Sequence, residues 1–251
     1  MSPASPPEGA GISTEQWGRD ARLHVETVHA RNATTLEAVA RVLLRTITED
    51  GLIHTAGTGH SLGLVLDTFY RSGGLACVRP LYHPSLFPLE GARASTLRER
   101  TRGIAQTLIA EVDVSAQDTA VIFSNSGANP VPIELAEALR ARGATVVAMT
   151  SLSHAGMALP GTGNKLATVV DHVIDTMVAY GDASYPPDSP TVAPLSSWMC
   201  IYLWNVLLVR LAELAVGAGI DLPVWASANT IDGDRRNQAL FDRYQPRIAA
   251  L

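Results

Sequence analysis

The chain has 251 residues, 47% of them hydrophobic and 17% charged, with a formal net charge of −5. That length and apolar content suit one α/β domain with a substantial core. The weak acidic balance and the lack of a long basic block argue against nucleic acid or an anionic membrane surface, and favour a small-molecule ligand.

Met1 to Gly11 are rich in Pro, Ser and Gly, so residues 1–13 read as a disordered tail ahead of a single domain over 14–251. No positive stretch followed by an apolar one marks an export signal, so a cytoplasmic location is expected. Thr14 to Glu49 reads as a pair of helices, with Leu36, Val39, Leu43 and Ile47 at helical spacing and Thr34 with Glu37 as a capping box. Leu52 to Ala56 reads as a strand ending in Gly57-Thr58-Gly59-His60-Ser61. A helix follows through Leu64, Val65, Leu66, Phe69 and Tyr70 and stops at Gly73-Gly74.

Ala76 to Arg79 is a short second strand, and Pro80 to Gly91, with three prolines, is expected to cross the surface as a loop that borders the ligand. A helix is predicted near Ser95 to Val112, and a central strand over Thr119 to Phe123. That strand feeds Ser124-Asn125-Ser126-Gly127-Ala128-Asn129-Pro130, and a helix from Val131 to Arg142 leaves the run, with Pro132 tolerated in its first turn. Hydroxyl and amide groups thus stand where a strand ends and a helix begins, a place suited to a phosphate because helix N–H groups and the positive end of the dipole converge there. Use of Ser124 and Ser126 as simple helix caps is the alternative.

Further strands are expected over Ala144 to Thr150 and Val169 to Ile174. Ala179 to Ser197, with four prolines, is predicted to be a long irregular loop and a candidate lid. Leu195 to Gly217 is the most apolar long segment, but Asn205, Arg210 and Glu213 interrupt it, so it reads as a buried or interface helix rather than a membrane span. Alternation of strand and helix predicts an open, mostly parallel five-stranded sheet with helices on both faces. Cys77 and Cys200 lie far apart in apolar surroundings and read as reduced, buried thiols. No His or carboxylate spacing calls for a metal.

The loops Gly57-Thr-Gly-His-Ser61 and Ser124-Asn-Ser-Gly127, about seventy residues apart and each at a strand's end, make this chain resemble the sugar isomerase (SIS) domain family. A closer likeness over most of Thr35 to Arg247 is to a little-characterised bacterial branch of single-domain SIS proteins. It is carried by Phe69-Tyr-Arg-Ser-Gly-Gly74, Asn129-Pro-Val-Pro-Ile-Glu134 and Ser227-Ala-Asn229 with Asp232-Gly-Asp234. The resemblance implies a flavodoxin- or Rossmann-like three-layer sandwich. Leu62 stands where a dinucleotide fingerprint needs its third glycine, so no nicotinamide or other cofactor is expected.

The resemblance also implies a sugar phosphate held by Ser124, Asn125, Ser126, Gly127 and Asn129, with Gly57, Thr58, Gly59 and Ser61 beside them. Ser151, within Thr150-Ser-Leu-Ser-His154, would lie near the sugar, although turn chemistry accounts for that run as well. The implied reaction is aldose–ketose isomerisation through an enediolate, which needs a base and an oxyanion donor.

Relatives carry an essential glutamate ten residues after the first loop's serine, where this chain has Arg71, a cation suited to an anion or an acid partner; their late histidine is also missing, since His172 is the last. Glu99 and His60 are therefore the catalytic candidates, with a solvated helix face and a packing or phosphate-binding role as their respective alternatives. His83 could reach the pocket or lie on the surface, and Asp232 and Asp234 could form a turn or a site at a subunit boundary. An isomerase is the leading reading, with a phosphosugar sensor or a lyase as alternatives. The apolar helix Trp198 to Val216 calls for at least a homodimer.

Overall fold

A computed structural model describes residues 13–154 and 165–251; the predicted tail, save Ser13, lies outside them. The chain opens with helix α1, Thr14–Thr48, capped by Ser13, whose hydroxyl accepts from the Gln16 N–H. The predicted helix pair is thus one 35-residue helix. Thr34 and Glu37 cap nothing, and Glu37 instead pairs with Arg41 one turn on and with Arg210.

Five strands follow, β1 (Ile53–Gly57), β2 (Val78–Leu81), β3 (Thr119–Phe123), β4 (Thr145–Thr150) and β5 (His172–Asp175), all parallel in the order β2-β1-β3-β4-β5. Every residue of β1 and β3 is buried. Strands buried on both faces favour apolar runs, which made β3 readable locally, and the polar residues among them, His54, Thr55 and Thr119, are buried with hydrogen-bond partners. The β1–β3 register sets Ile53 against Thr119 and Thr55 against Val121, so Thr55 and Thr119 share a face. On it Thr119 bonds Thr46 of α1 at 2.7 Å, and Thr55 accepts from Thr68 of α2 (Leu62–Thr68) at 3.1 Å. The opposite face meets α5 (Pro130–Ala141), which carries Val131, Leu135 and Leu139 inward. The result is the three-layer arrangement expected.

Some boundaries moved for physical reasons. Helix α2 stops at Thr68, because Phe69 is already extended and Tyr70 has φ +41°. Pro80 belongs to β2, which is an edge strand and tolerates a missing N–H. The crossing loop contains two 3-10 turns, Pro84–Leu86 and Pro88–Glu90. The predicted helix over 95–112 is two, α3 (Ala92–Glu99) and α4 (Ile104–Ile109), parted at Gly103 with φ +84°.

After the four-residue helix α6 (Leu166–Val169) and β5, the predicted irregular loop over 179–197 is in part a hairpin, β6 (Ala183–Tyr185) against β7 (Val192–Pro194). It is tied to α1, since Trp17 Nε1 donates to Ser184 Oγ at 2.9 Å. Helix α7 (Ser196–Ala218) is long and apolar enough, on length and composition, to cross a membrane. It packs along α1 with Met199, Leu203, Leu207, Leu211 and Ala215 buried, one residue per turn. Arg210 interrupts its apolarity to bridge Glu37 and Glu213. Helix α8 (Gly233–Tyr244) ends the fold, pinning Arg243 to Asp50 at 2.7 Å.

Candidate functional site

In this strand order the chain steps from β1 to one side for β2 and returns to the other side for β3. The crevice between the carboxyl ends of β1 and β3 is therefore the topological switch point, where open α/β sheets take ligands. Gly57 pairs with Phe123, so the loops Thr58–Ser61 and Ser124–Asn129 leave adjacent strands side by side.

The first loop folds tightly back on its strand. A side chain at Gly57 would stand 2.8 Å from the Ser61 carbonyl oxygen, so only glycine permits the approach. Gly59 takes φ +57°, and the Ser61 N–H closes the turn on the Thr58 carbonyl at 3.0 Å. His60 is exposed in this turn, while Ser61 is half-buried, and neither side chain makes a hydrogen bond among the described residues.

Glu99 reaches this loop from the end of α3. The Thr58 hydroxyl donates to Glu99 Oε2 at 2.8 Å, and a Cβ at Gly59 would stand 3.4 Å from the same oxygen. A carboxylate thus sits at the switch point, far in sequence from the loop it contacts.

The second loop is anchored from behind. Ser124 N–H donates to the Met149 carbonyl at 3.1 Å, and Gly127, with φ +57°, returns its N–H to the Ser124 carbonyl at 3.1 Å. Asn125 is a hub. Its carbonyl accepts from Ser151 N–H at 2.9 Å and Thr150 Oγ1 at 3.2 Å, and its Oδ1 accepts from Thr176 Oγ1 at 2.8 Å. Asn129 is the N-cap of α5, yet no side chain caps that helix. The capping alternative is therefore not what Ser124 and Ser126 do. Ser126 and Asn129 are half-buried with side chains that make no hydrogen bond among the described residues. Pro130 and Pro132 remove two of the helix's own donors, so the donors at this helix start are loop N–H groups and these side chains.

Ser151 lies beside the loop, but its hydroxyl donates to the Val178 carbonyl at 2.6 Å. Asp175 supports the same corner, accepting from Leu152 and Met177 N–H groups, while buried Asn32 of α1 exchanges two hydrogen bonds with the Asp175 backbone. The side chain of His154 lies outside the described residues. Thr176, Asp175 and Asn32 were missed from sequence, though hydroxyls and carboxylates at a strand's carboxyl end were a usable signal.

Arg71 lies beyond the far end of α2 from the loops, exposed and ion-paired with Asp67. His83 caps its own turn, Nδ1 accepting from Ser85 N–H at 3.1 Å. Asp232, at φ +66°, starts α8 and pairs with Arg235 at 3.1 Å. Each of the three thus has a partner within four residues of it in the chain, and Asp234 falls in the first turn of α8. The crossing loop lines an apolar cavity of about 510 Å³, its Tyr82 and Phe87 facing Phe69 and Leu62, the residue that follows Ser61.

Asp118, at the opposite end of the sheet, is held down to about 2: burial pushes its carboxyl up, but hydrogen bonds from His54 and the Leu52 and Ser115 N–H groups outweigh it. Cys77 and Cys200 are free and buried, and burial pushes both thiols up to about 12.

A parallel sheet flanked by helices on both faces, with two glycine-, serine- and asparagine-rich loops at its switch point, defines an α/β protein of the doubly wound class. The SIS domain model matches residues 16–151, and the chain belongs to the SIS domain family. It is 37% identical over 219 residues, 86% of this chain and 88% of the other, to UPF0309 protein lin2794 of Listeria innocua. It is 34% identical over 241 residues, covering 94% and 96%, to UPF0309 protein GK1441 of Geobacillus kaustophilus. Among solved structures, the fold is similar to the phosphoheptose isomerase GmhA from Neisseria gonorrhoeae, at a TM-score of 0.55, 14% identity and 79% and 96% coverage. It is also similar to E. coli CFT073 c3406, at a TM-score of 0.51, 15% identity and 82% and 94% coverage.

Proposed function

We propose that this protein binds a sugar phosphate and interconverts its aldose and ketose forms without a cofactor. The phosphate is received by the loop Ser124–Asn129, chiefly by Ser126, Asn129 and loop N–H groups, with Ser61 opposite. Glu99 moves the proton between the adjacent carbons of the open chain, and His60 serves ring opening or the developing oxyanion. The observation that carries the reading is the Thr58–Glu99 hydrogen bond, which supports a carboxylate beside the phosphate loops in a chain that has Arg71 where the resemblance implies a glutamate. The site suits a cytoplasmic homodimer, in which a second copy covers exposed α7 side chains such as Val209 and Val216.

Incubating the full chain with hexose, pentose and amino-sugar phosphates in deuterated water tests the reading. Exchange at C2 is expected for at least one, and Glu99→Gln lowers its rate by about a hundredfold or more while phosphate-dependent binding persists. No exchange across the panel sinks the isomerase. Thermal stabilisation by a sugar phosphate without turnover would then favour the binding module, the reading that Arg71 in its pair with Asp67 supports.

A further inference from the structure

We infer that Glu99 is mounted at two points, by the Thr58 hydroxyl from the first loop and by the Glu134 carboxylate through the α3–α4 joint, so that Thr58 and Glu134 are positioning residues. This rests on the reading of Glu99 as the base.

Helix α3 has no buried apolar side chain to aim it. It is eight residues long, too short to be stable by itself, and Ser95 is its single buried residue. The Ser95 hydroxyl bonds back to Ala92 of the same helix, and the helix touches mainly the turns at Pro84–Leu86 and Pro88–Glu90, with a smaller contact to α5 and to the turn Gly59–Ser61 of the first loop. An element without a buried apolar face takes its orientation from polar tethers.

Four residues after Glu99, Gly103 turns the chain at φ +84° into α4, which has no side-chain cap. The Gly103 N–H donates to Glu134 Oε2 at 2.8 Å. Glu134 is largely buried, while Arg102, 3.7 Å from its other oxygen, is mostly exposed and adds little. Glu134 is the fifth residue of α5, the helix whose first turn follows the phosphate loop. At about 1.5 Å per residue the tether lies about 6 Å along the helix from Pro130. The phosphate cradle and the arm that carries the carboxylate are thereby referenced to one helix, which fixes the span between a bound phosphate and the base.

The test compares Thr58→Val and Glu134→Ala with the conservative Thr58→Ser and Glu134→Gln in the full chain, reading C2–H exchange and, by NMR, amide hydrogen exchange. Each disruptive variant is expected to lower kcat by about tenfold or more with KM changed less than about twofold, and the conservative variants to restore most of it. Glu134→Ala is expected to speed exchange of the Gly103 amide by about tenfold. Unchanged kcat in both disruptive variants overturns the mount, as does a raised KM with unchanged kcat. If the unaltered protein turns over no sugar phosphate, the isomerase reading fails separately. Amide exchange at Gly103 and along Ala92–Glu99 then still decides: acceleration in Thr58→Val and Glu134→Ala supports the mount, and unchanged protection overturns it.

Discussion

The Thr176 hydroxyl donates to Asn125 Oδ1 at 2.8 Å, joining the end of β5 to the loop that follows β3 across the intervening strand β4. Thr176 is fully buried, so this bond works in a low-dielectric setting where losing a partner is costly. Thr176→Val should destabilise the protein by about 1–3 kcal/mol. It should also weaken binding of a sugar phosphate more than Thr176→Ser does, because the loop loses its rear support. Urea unfolding and ligand titration check both, and unchanged affinity in the valine variant would show that the loop holds its shape without this bond.

Ser126 and Asn129 make the opposite prediction. Neither side chain caps α5 or bonds another described residue, so Ser126→Ala and Asn129→Ala should change stability by under about 0.5 kcal/mol. Both should nevertheless remove much of the thermal stabilisation given by a sugar phosphate, which scales with ligand affinity. A large drop in melting temperature without ligand would mean that they serve the fold.

Gly59 and Gly73 form a matched pair. Both have positive φ, +57° and +84°, but only at Gly59 would a Cβ approach Glu99, whereas at Gly73 it meets open space. Each alanine variant should cost about 1 kcal/mol in strained backbone. Gly59→Ala alone should impair C2–H exchange, and equal activity in the two would contradict a working position for Glu99 beside the loop.

Asp118 sets the acid limit of stability. Its carboxyl lies near 2 in the fold against 3.8 in the unfolded chain, so its contribution is fully present above pH 3.8 and is lost as the pH falls from there through 2. The shift corresponds to about 2 kcal/mol. Asp118→Asn should lower stability at pH 7 and flatten its decline between about pH 4 and pH 2, relative to the unaltered protein, in urea titrations at stepped pH. An unaltered slope would assign the acid sensitivity to other carboxylates.

The sequence by itself determined the sheet and its loops. Strands buried on both faces favour apolar and β-branched residues, as in Thr119–Phe123, and a tight turn or helix start after them needs Gly, Ser and Asn, so Gly57–Ser61 and Ser124–Asn129 were legible locally. Only the tertiary structure decided what those loops meet. Glu99 reaches Thr58 across 41 residues, Thr176 reaches Asn125 across 51, and Glu134 holds Gly103 from another helix. The same holds for Arg71, whose partner Asp67 is local but whose distance from the loops follows from where α2 ends. The Pro-rich stretch that reads as irregular became a hairpin because Trp17 and α1 gave it a surface to pair on. Local backbone preference writes elements into sequence, whereas a site assembled from the ends of separate elements depends on strand order and packing, which no single stretch of chain encodes.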